Sequence, residues 1–159
     1  MSRTLGRRIA VVFGVLATVA VVVGVTVAIA STDITRPTTV TVIEHPTTDT
    51  VVDIGAPGDS TGDVLTFHNR VYDRTDTHVV GRDQGECIRI SPAAGTWECT
   101  WVTILRGGQI TVEGQYRDTA DTILAVTGGT GMYANVRGDM ALKAINGGTE
   151  YAFVFRLIP

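Results

Sequence analysis

The stretch Val126-Thr-Gly-Gly-Thr-Gly-Met-Tyr-Ala-Asn-Val-Arg-Gly138 places four glycines in thirteen residues, between two runs that alternate in the manner of β-strands. A glycine-rich loop of this kind invites reading as a phosphate cradle. Here no Gly-Lys-Ser/Thr follows Gly131 and no strand-to-helix context surrounds it. Its glycines read instead as a turn that needs positive φ and close backbone approach.

Working outward, short alternating runs and turn signals recur on both sides of this turn. They predict eight strands, at 49–54, 63–72, 78–90, 96–105, 108–117, 121–127, 135–145 and 149–158. The joints are rich in Gly, Asp, Asn and Pro, and Asn146-Gly147 is a strong hairpin signal because a type I′ turn needs φ > 0 twice. No helical period appears after residue 30. Eight strands with short turns and no helix to cover an edge point to an all-β, eight-stranded antiparallel up-and-down barrel. The structural rival is a two-sheet sandwich. The interior of eight strands holds side chains or one small ligand, and the in-strand glycines Gly81, Gly85, Gly114 and Gly138 fit the bending that closure needs.

The N-terminus is of another kind. Arg3, Arg7 and Arg8 precede Ile9 to Thr32, a run without a charge and long enough to span a bilayer as a helix. Residues 1–32 therefore read as a membrane anchor, as a signal peptide with the small-x-small site Ala28-Ile29-Ala30, or as an apolar lid helix over the barrel mouth. Residues 33–48, threonine-rich and marked by Pro37 and Pro46, read as a linker, and 49–159 as the barrel domain. An anchor or signal places the barrel outside the cytoplasm, anchored or secreted; a lid keeps it inside.

Of 13 basic and 16 acidic residues, the first thirty carry three arginines and no acid, so the remainder is 10 against 16, a formal charge of −6. That balance argues against nucleic acid and anionic lipid as partners. Lys143 is the single lysine and alternates with apolar neighbours, which disfavours Schiff-base chemistry. Cys87 and Cys99 lie six residues either side of Ala93, the centre of a predicted hairpin. They form either a cross-strand disulfide, in an oxidising compartment, or two buried thiols. His45, His68 and His78 show no metal-ligand spacing, so no metal is expected.

The resemblance to a known family rests on several pieces in order. Gly58-Asp59 with Gly62-Asp63-Val-Leu-Thr-Phe67, Val71-Tyr72-Asp73, Val80-Gly81 with Gly85-Glu-Cys87, Leu105-Arg-Gly-Gly-Gln-Ile110 with Gly114, and Gly128-Gly-Thr-Gly-Met-Tyr133 with Gly138 together span about residues 55–158. This pattern resembles that of the allene oxide cyclase and dirigent-like barrels. The resemblance implies a cyclase without a cofactor that folds an apolar polyene or polyketide in the lumen. Bacterial members close a spiro ring in a tetronate or tetramate by an intramolecular [4+2] reaction, in antibiotic biosynthesis. A non-catalytic, membrane-tethered binding barrel is the alternative, and a homo-oligomer is compatible with either.

Strand alternation sorts candidate site residues into two faces. Trp97, Cys99, Trp101, Thr103, Leu105, Ile110, Val112, Gly114 and Tyr116 share the more apolar face, which is expected to line the lumen because two tryptophans in water are costly. Pairing through the Asp73–Asp76 turn adds His68, Arg70, Tyr72, Gly81 and Asp83. Tyr151, Phe153 and Phe155 of the last strand line the wall as well. In this reading Trp97, Trp101, Tyr116, Tyr151 and Phe153 hold the substrate folded. His68, Tyr72 or Tyr116 hydrogen-bonds a carbonyl, and Asp83 orients His68. With the faces inverted, Glu113 and Gln115 become the polar pair in the lumen.

Overall fold

Apolar residues alternate with polar ones along nearly every strand, and this period-two pattern sends one side chain in two to a common interior. The described part of the chain, residues 34–159 of a computed structural model, holds ten strands: β1 Thr38–His45, β2 Thr50–Val52, β3 Val64–Phe67, β4 Arg70–Tyr72, β5 Val79–Ser91, β6 Thr96–Leu105, β7 Gly108–Arg117, β8 Thr122–Gly129, β9 Arg137–Ile145 and β10 Glu150–Ile158. The expectations for residues 1–32 lie outside the described residues.

Ten strands make eight staves, because two staves are interrupted. β1 pairs with β4 and β2 with β3, while β3 and β4 both pair with β5. Every neighbour is antiparallel and the order follows the chain. β10 returns to β1, in register from Thr38↔Leu157 to Glu44↔Tyr151, and closes the barrel. Closure excludes the sandwich. The interior is filled from all sides, with Val71, Ile110, Val112, Met140 and Phe155 fully buried.

The strand β1 corrects the linker expected over 33–48. Threonine is β-branched, and Thr38-Thr-Val-Thr-Val-Ile-Glu-His45 alternates Val40, Val42 and Glu44 toward the inside, so the segment is a strand and not a tether. Without it β10 would be an open edge carrying Phe153, Phe155 and Leu157. The strand expected at 49–54 is only the short continuation β2, and the one expected at 63–72 breaks at His68–Asn69 into β3 and β4.

The glycine-rich turn joins β8 to β9, one 3-10 turn (Gly131–Tyr133) between them. It packs backbone to backbone on the β6–β7 hairpin: Met132 N–H donates to Gly107 O (2.9 Å) and Thr130 N–H to Gln109 O (2.9 Å). Gly131 sits at φ 63°, and a Cβ there would stand 2.3 Å from Gly107 O. Tyr133 and Val136 then turn inward and are buried at that end of the barrel. At Asn146 (φ 48°) and Gly147 (φ 74°) both residues take the positive φ of a primed turn, within a four-residue loop.

Candidate functional site in the barrel lumen

The β6–β7 hairpin fixes the walls. Its register, from Thr96↔Arg117 to Leu105↔Gly108, aims Trp101, Thr103, Ile110 and Val112 inward, each 3% exposed or less. Trp101 lies opposite Gly85 of β5, where any Cβ would fall 2.2 Å from the Trp101 Cβ. The absence of that side chain gives the indole its place. Phe67 meets Trp101 edge-on at 5.9 Å, and Phe153 lies 5.7 Å from it on the far side. Cys87 and Cys99, directly opposed with 4.0 Å between Cα atoms, form a disulfide on the same wall. Together with Leu65, Leu142, Tyr116, Tyr151, Glu44 and Asp49 these residues line a cavity of about 60 Å³.

One side of this apolar chamber carries acids. Glu44 of β1 and Asp83 of β5 are both buried, and Asn69, in the break between β3 and β4, ties them together. Asn69 Nδ2 donates to Glu44 Oε1 and to Asp49 Oδ1, each at 2.7 Å, and its backbone N–H donates to Asp83 Oδ1 at 3.1 Å. The Asn69 Oδ1 in turn accepts from the Thr47 and Thr48 N–H groups, at 2.9 and 3.0 Å, so the amide is locked in one orientation. Loss of hydration, with the Asp83 charge beside it, holds the Glu44 carboxyl well above the usual range. Burial pushes Asp83 up to about 6. Two carboxyls that share a site cannot both ionise cheaply, so each opposes the ionisation of the other. Asp83 Oδ2 is buried and has no hydrogen-bond partner among the described residues. The Trp101 Nε1–H is likewise buried with no acceptor.

Tyr116, Leu142 and Tyr151 separate the cavity from an outer vestibule of about 360 Å³ between the β7–β8 and β9–β10 turns, lined also by Arg117, Asp118 and Asp121. Burial, and the Tyr151 hydroxyl beside it, raise the Tyr116 phenol above its ordinary value, so it stays a neutral donor. At the same end Arg89 lies 4.0 Å over the Trp97 ring and reaches Asp118 Oδ2 (2.6 Å) and Asp59 Oδ1 (2.7 Å). Burial opposes the guanidinium charge, but the Asp118 and Asp59 bonds outweigh it and hold the Arg89 pKa above normal.

The structure brings together Trp101, Tyr116, Tyr151 and Phe153 at the cavity and buries Asp83 in the acid cluster. Trp97 is buried on the expected face, yet its Nε1–H is committed to Asp118 Oδ1 at 2.7 Å and it does not line the cavity. Glu113 and Gln115 are exposed on the outer face, which overturns the inverted arrangement. His68, Arg70 and Tyr72 are also outside. The Asp73 carboxylate gathers the N–H groups of Thr75 and Thr77, and Asp73 N–H donates to His78 O, which makes a longer turn than expected. A register shift between Val71 and Tyr72 follows. The strand is thereby displaced by one residue, and a one-residue slip exchanges the faces, so Asn69 and Val71 point inward instead. Asp83 therefore orients no histidine.

Glu44, Asp49 and Asn69 were missed. Glu44 was hidden in the supposed linker, and its signal was the alternation of Val40, Val42 and Glu44. On the outer surface His45, Asp76 and Glu150 bring three ligand atoms within 4.8 Å of one another. His45 Nε2 and Asp76 Oδ1, 2.8 Å apart, are already hydrogen-bonded there, and His45 stacks on Tyr72 at 4.1 Å. This set could hold a cation, but it lies away from the lumen.

The profile of the family described as Allene oxide cyclase matches residues 25–158. Among solved structures, pyocyanin demethylase is similar at 27% identity and TM-score 0.66, over 76% of this chain and 100% of that one. A pterocarpan synthase dirigent protein is similar at 18% identity and TM-score 0.62, over 76% of this chain and 85% of that one. A haem-binding cyclase that catalyses a [4 + 2] cycloaddition in neoabyssomicin biosynthesis is similar at 17% identity and TM-score 0.60, over 77% and 65%.

Proposed function

The chain belongs to the allene oxide cyclase family, and from that premise we propose that it is a cyclase acting on an apolar, conjugated small molecule held in the barrel lumen. The reaction is an intramolecular cyclisation, of the [4+2] and spiro-ring-forming type, on a linear polyketide that carries a carbonyl. The named neighbours run different reactions in this container, so the reading rests on the site itself. The observation that carries it is Glu44: a buried carboxyl, its ionisation opposed by lost hydration and by Asp83, lining a cavity walled by Phe67, Trp101 and Phe153.

A protonated acid in a dry pocket is a hydrogen-bond donor that costs no reorganisation when a carbonyl arrives. Turned from Asp83 toward the substrate, the Glu44 O–H polarises the carbonyl and lowers the electron demand of the adjoining double bond. Trp101 Nε1–H supplies a second donor, and the aromatic walls hold the chain folded so that its reacting ends meet. Bonds rearrange within one molecule, so no redox partner or cofactor enters the step.

The test is to incubate the purified protein with linear spirotetronate- and spirotetramate-type precursors and follow product by mass spectrometry. Cyclisation should be accelerated, and Glu44→Gln should slow it about 10²-fold. No acceleration and no binding across several precursors would sink the proposal.

The Cys87–Cys99 disulfide favours a second reading, a non-catalytic binding barrel held outside the cytoplasm by the N-terminal apolar stretch. Fractionation with thiol alkylation separates the two: an oxidised, outward-facing domain supports the binding barrel, and a reduced domain inside the cell counts against it.

A further inference from the structure

On the outer face three side chains from distant parts of the chain converge: His45 at the end of β1, Asp76 in the β4–β5 turn and Glu150 at the start of β10. Their spacing forms no ligand motif in the sequence, and only barrel closure brings them together. His45 Nε2 lies 2.8 Å from Asp76 Oδ1 and 3.9 Å from Glu150 Oε1, and the three ligand atoms fall within 4.8 Å of one another. A tetrahedral zinc ion, with bonds of about 2.0–2.1 Å, holds its ligand atoms about 3.3 Å apart. The two distances from His45 bracket that value, and side-chain rotation closes the difference.

Each ligand is braced from behind. The His45 ring stacks on Tyr72. Asn146 Nδ2 donates to Glu150 Oε2, which leaves Oε1 turned toward His45. Asp76 takes φ 57°, its N–H bonded to Asp73 O at 2.9 Å, and so carries its carboxylate across to β1. Outer partners of this kind orient metal ligands.

The charge balance is an independent observation. Neither Asp76 nor Glu150 forms an ion pair with a lysine or arginine among the described residues. Arg70, the register neighbour of His45, is exposed and bonds to neither. A protonated His45 balances one carboxylate at most, whereas a divalent cation balances both. The imidazole sets the class of cation: a nitrogen ligand suits zinc, and magnesium and calcium take oxygen.

We propose that His45, Asp76 and Glu150 form a binding site for a divalent transition metal, zinc first, with water as the fourth ligand. The ion ties the first stave, the last stave and the β4–β5 turn on the outside of the closing seam. His45 and Glu150 adjoin Glu44 and Tyr151, which pair across that seam and line the cavity. Metal on the outer face therefore pins the backbone that carries two lumen residues.

The test titrates zinc chloride by calorimetry into the full-length chain in neutral-detergent micelles, stripped with EDTA and free of a polyhistidine tag. One equivalent should bind and raise the unfolding midpoint, while magnesium or calcium at the same concentration leaves the midpoint unchanged. Asp76→Asn, which tolerates the same positive φ, and Glu150→Gln should each weaken zinc by at least about tenfold. His78→Ala, at the other surface histidine–carboxylate pair, should leave zinc binding unchanged. No zinc binding, undiminished binding in either carboxylate variant, loss in His78→Ala, or an equal response to magnesium overturns the proposal and leaves the reading of the lumen untouched.

Discussion

Glu44 of β1 and Asp83 of β5 are joined through one residue: Asn69 donates its side-chain amide to the first and its backbone N–H to the second. The pair is therefore a single titrating unit. In both, burial raises the folded-state pKa above the unfolded value, Asp83 to about 6. A raised pKa contributes stability that is complete below the unfolded value, near pH 4, and is lost as pH rises through about 6. The unfolding midpoint should fall across pH 4.5–8. Asp83→Asn should flatten that fall and leave the protein up to about 3 kcal/mol more stable at pH 8 than the loss in the parent would allow. Comparing parent with variant separates this unit from the surface pairs His45–Asp76 and His78–Asp73. A parent and an Asp83→Asn variant with parallel pH profiles would refute the shared proton.

The glycines of the β8–β9 turn are not equivalent. At Gly128 a Cβ meets nothing within 4 Å, whereas at Gly129 it would stand 2.4 Å from Gln109 O, and at Gly131 2.3 Å from Gly107 O with φ at 63°. Gly128→Ala should change stability by no more than about 0.5 kcal/mol, and Gly129→Ala or Gly131→Ala should cost at least about 2 kcal/mol. Chemical denaturation of the three variants checks the order.

The disulfide closes a sequence separation of 12 residues between strands already in register. Loop-closure arithmetic gives about 3 kcal/mol for a loop of this size. Denaturation with and without reductant should show a loss of that order. A much smaller loss would mean that the hairpin persists in the unfolded chain.

Lumen and outer-face substitutions should separate cleanly in ligand binding. Trp101→Phe keeps the ring and removes the unpartnered N–H, and should weaken a carbonyl-bearing ligand several-fold, in line with about 1 kcal/mol for a net hydrogen bond. Glu113→Gln, Gln115→Ala and His68→Ala, all on exposed residues, should stay within twofold of the parent. A strong effect at Gln115 would mean that the outer face takes part after all.

Closure and most strands were legible because short turns fix register locally. Ala93 at the centre of one hairpin put Cys87 opposite Cys99, and the tryptophans of β6 declared their face by size alone. What escaped had a physical reason in each case. Threonine is shared by linkers and strands, so β1 passed as a tether and Glu44 with it. The frame of β3–β4 depends on how Asp73 gathers its own turn, and that is side-chain geometry which no alternation pattern encodes. The acid cluster is assembled from β1, β5 and a strand break, so its members are distant in sequence and none is conspicuous alone.

The seam between β1 and β10 has one more consequence. It joins the first stave to the last, from Thr38↔Leu157 onward, so during synthesis it cannot zip until the C-terminal strand has emerged. Glu44 sits in that seam, opposite Tyr151. A chain that stops before β10 therefore has the acid, seated against Val71 and Asn69, but lacks the Tyr151 and Phe153 walls, and the chamber closes around its acid only when the molecule is finished.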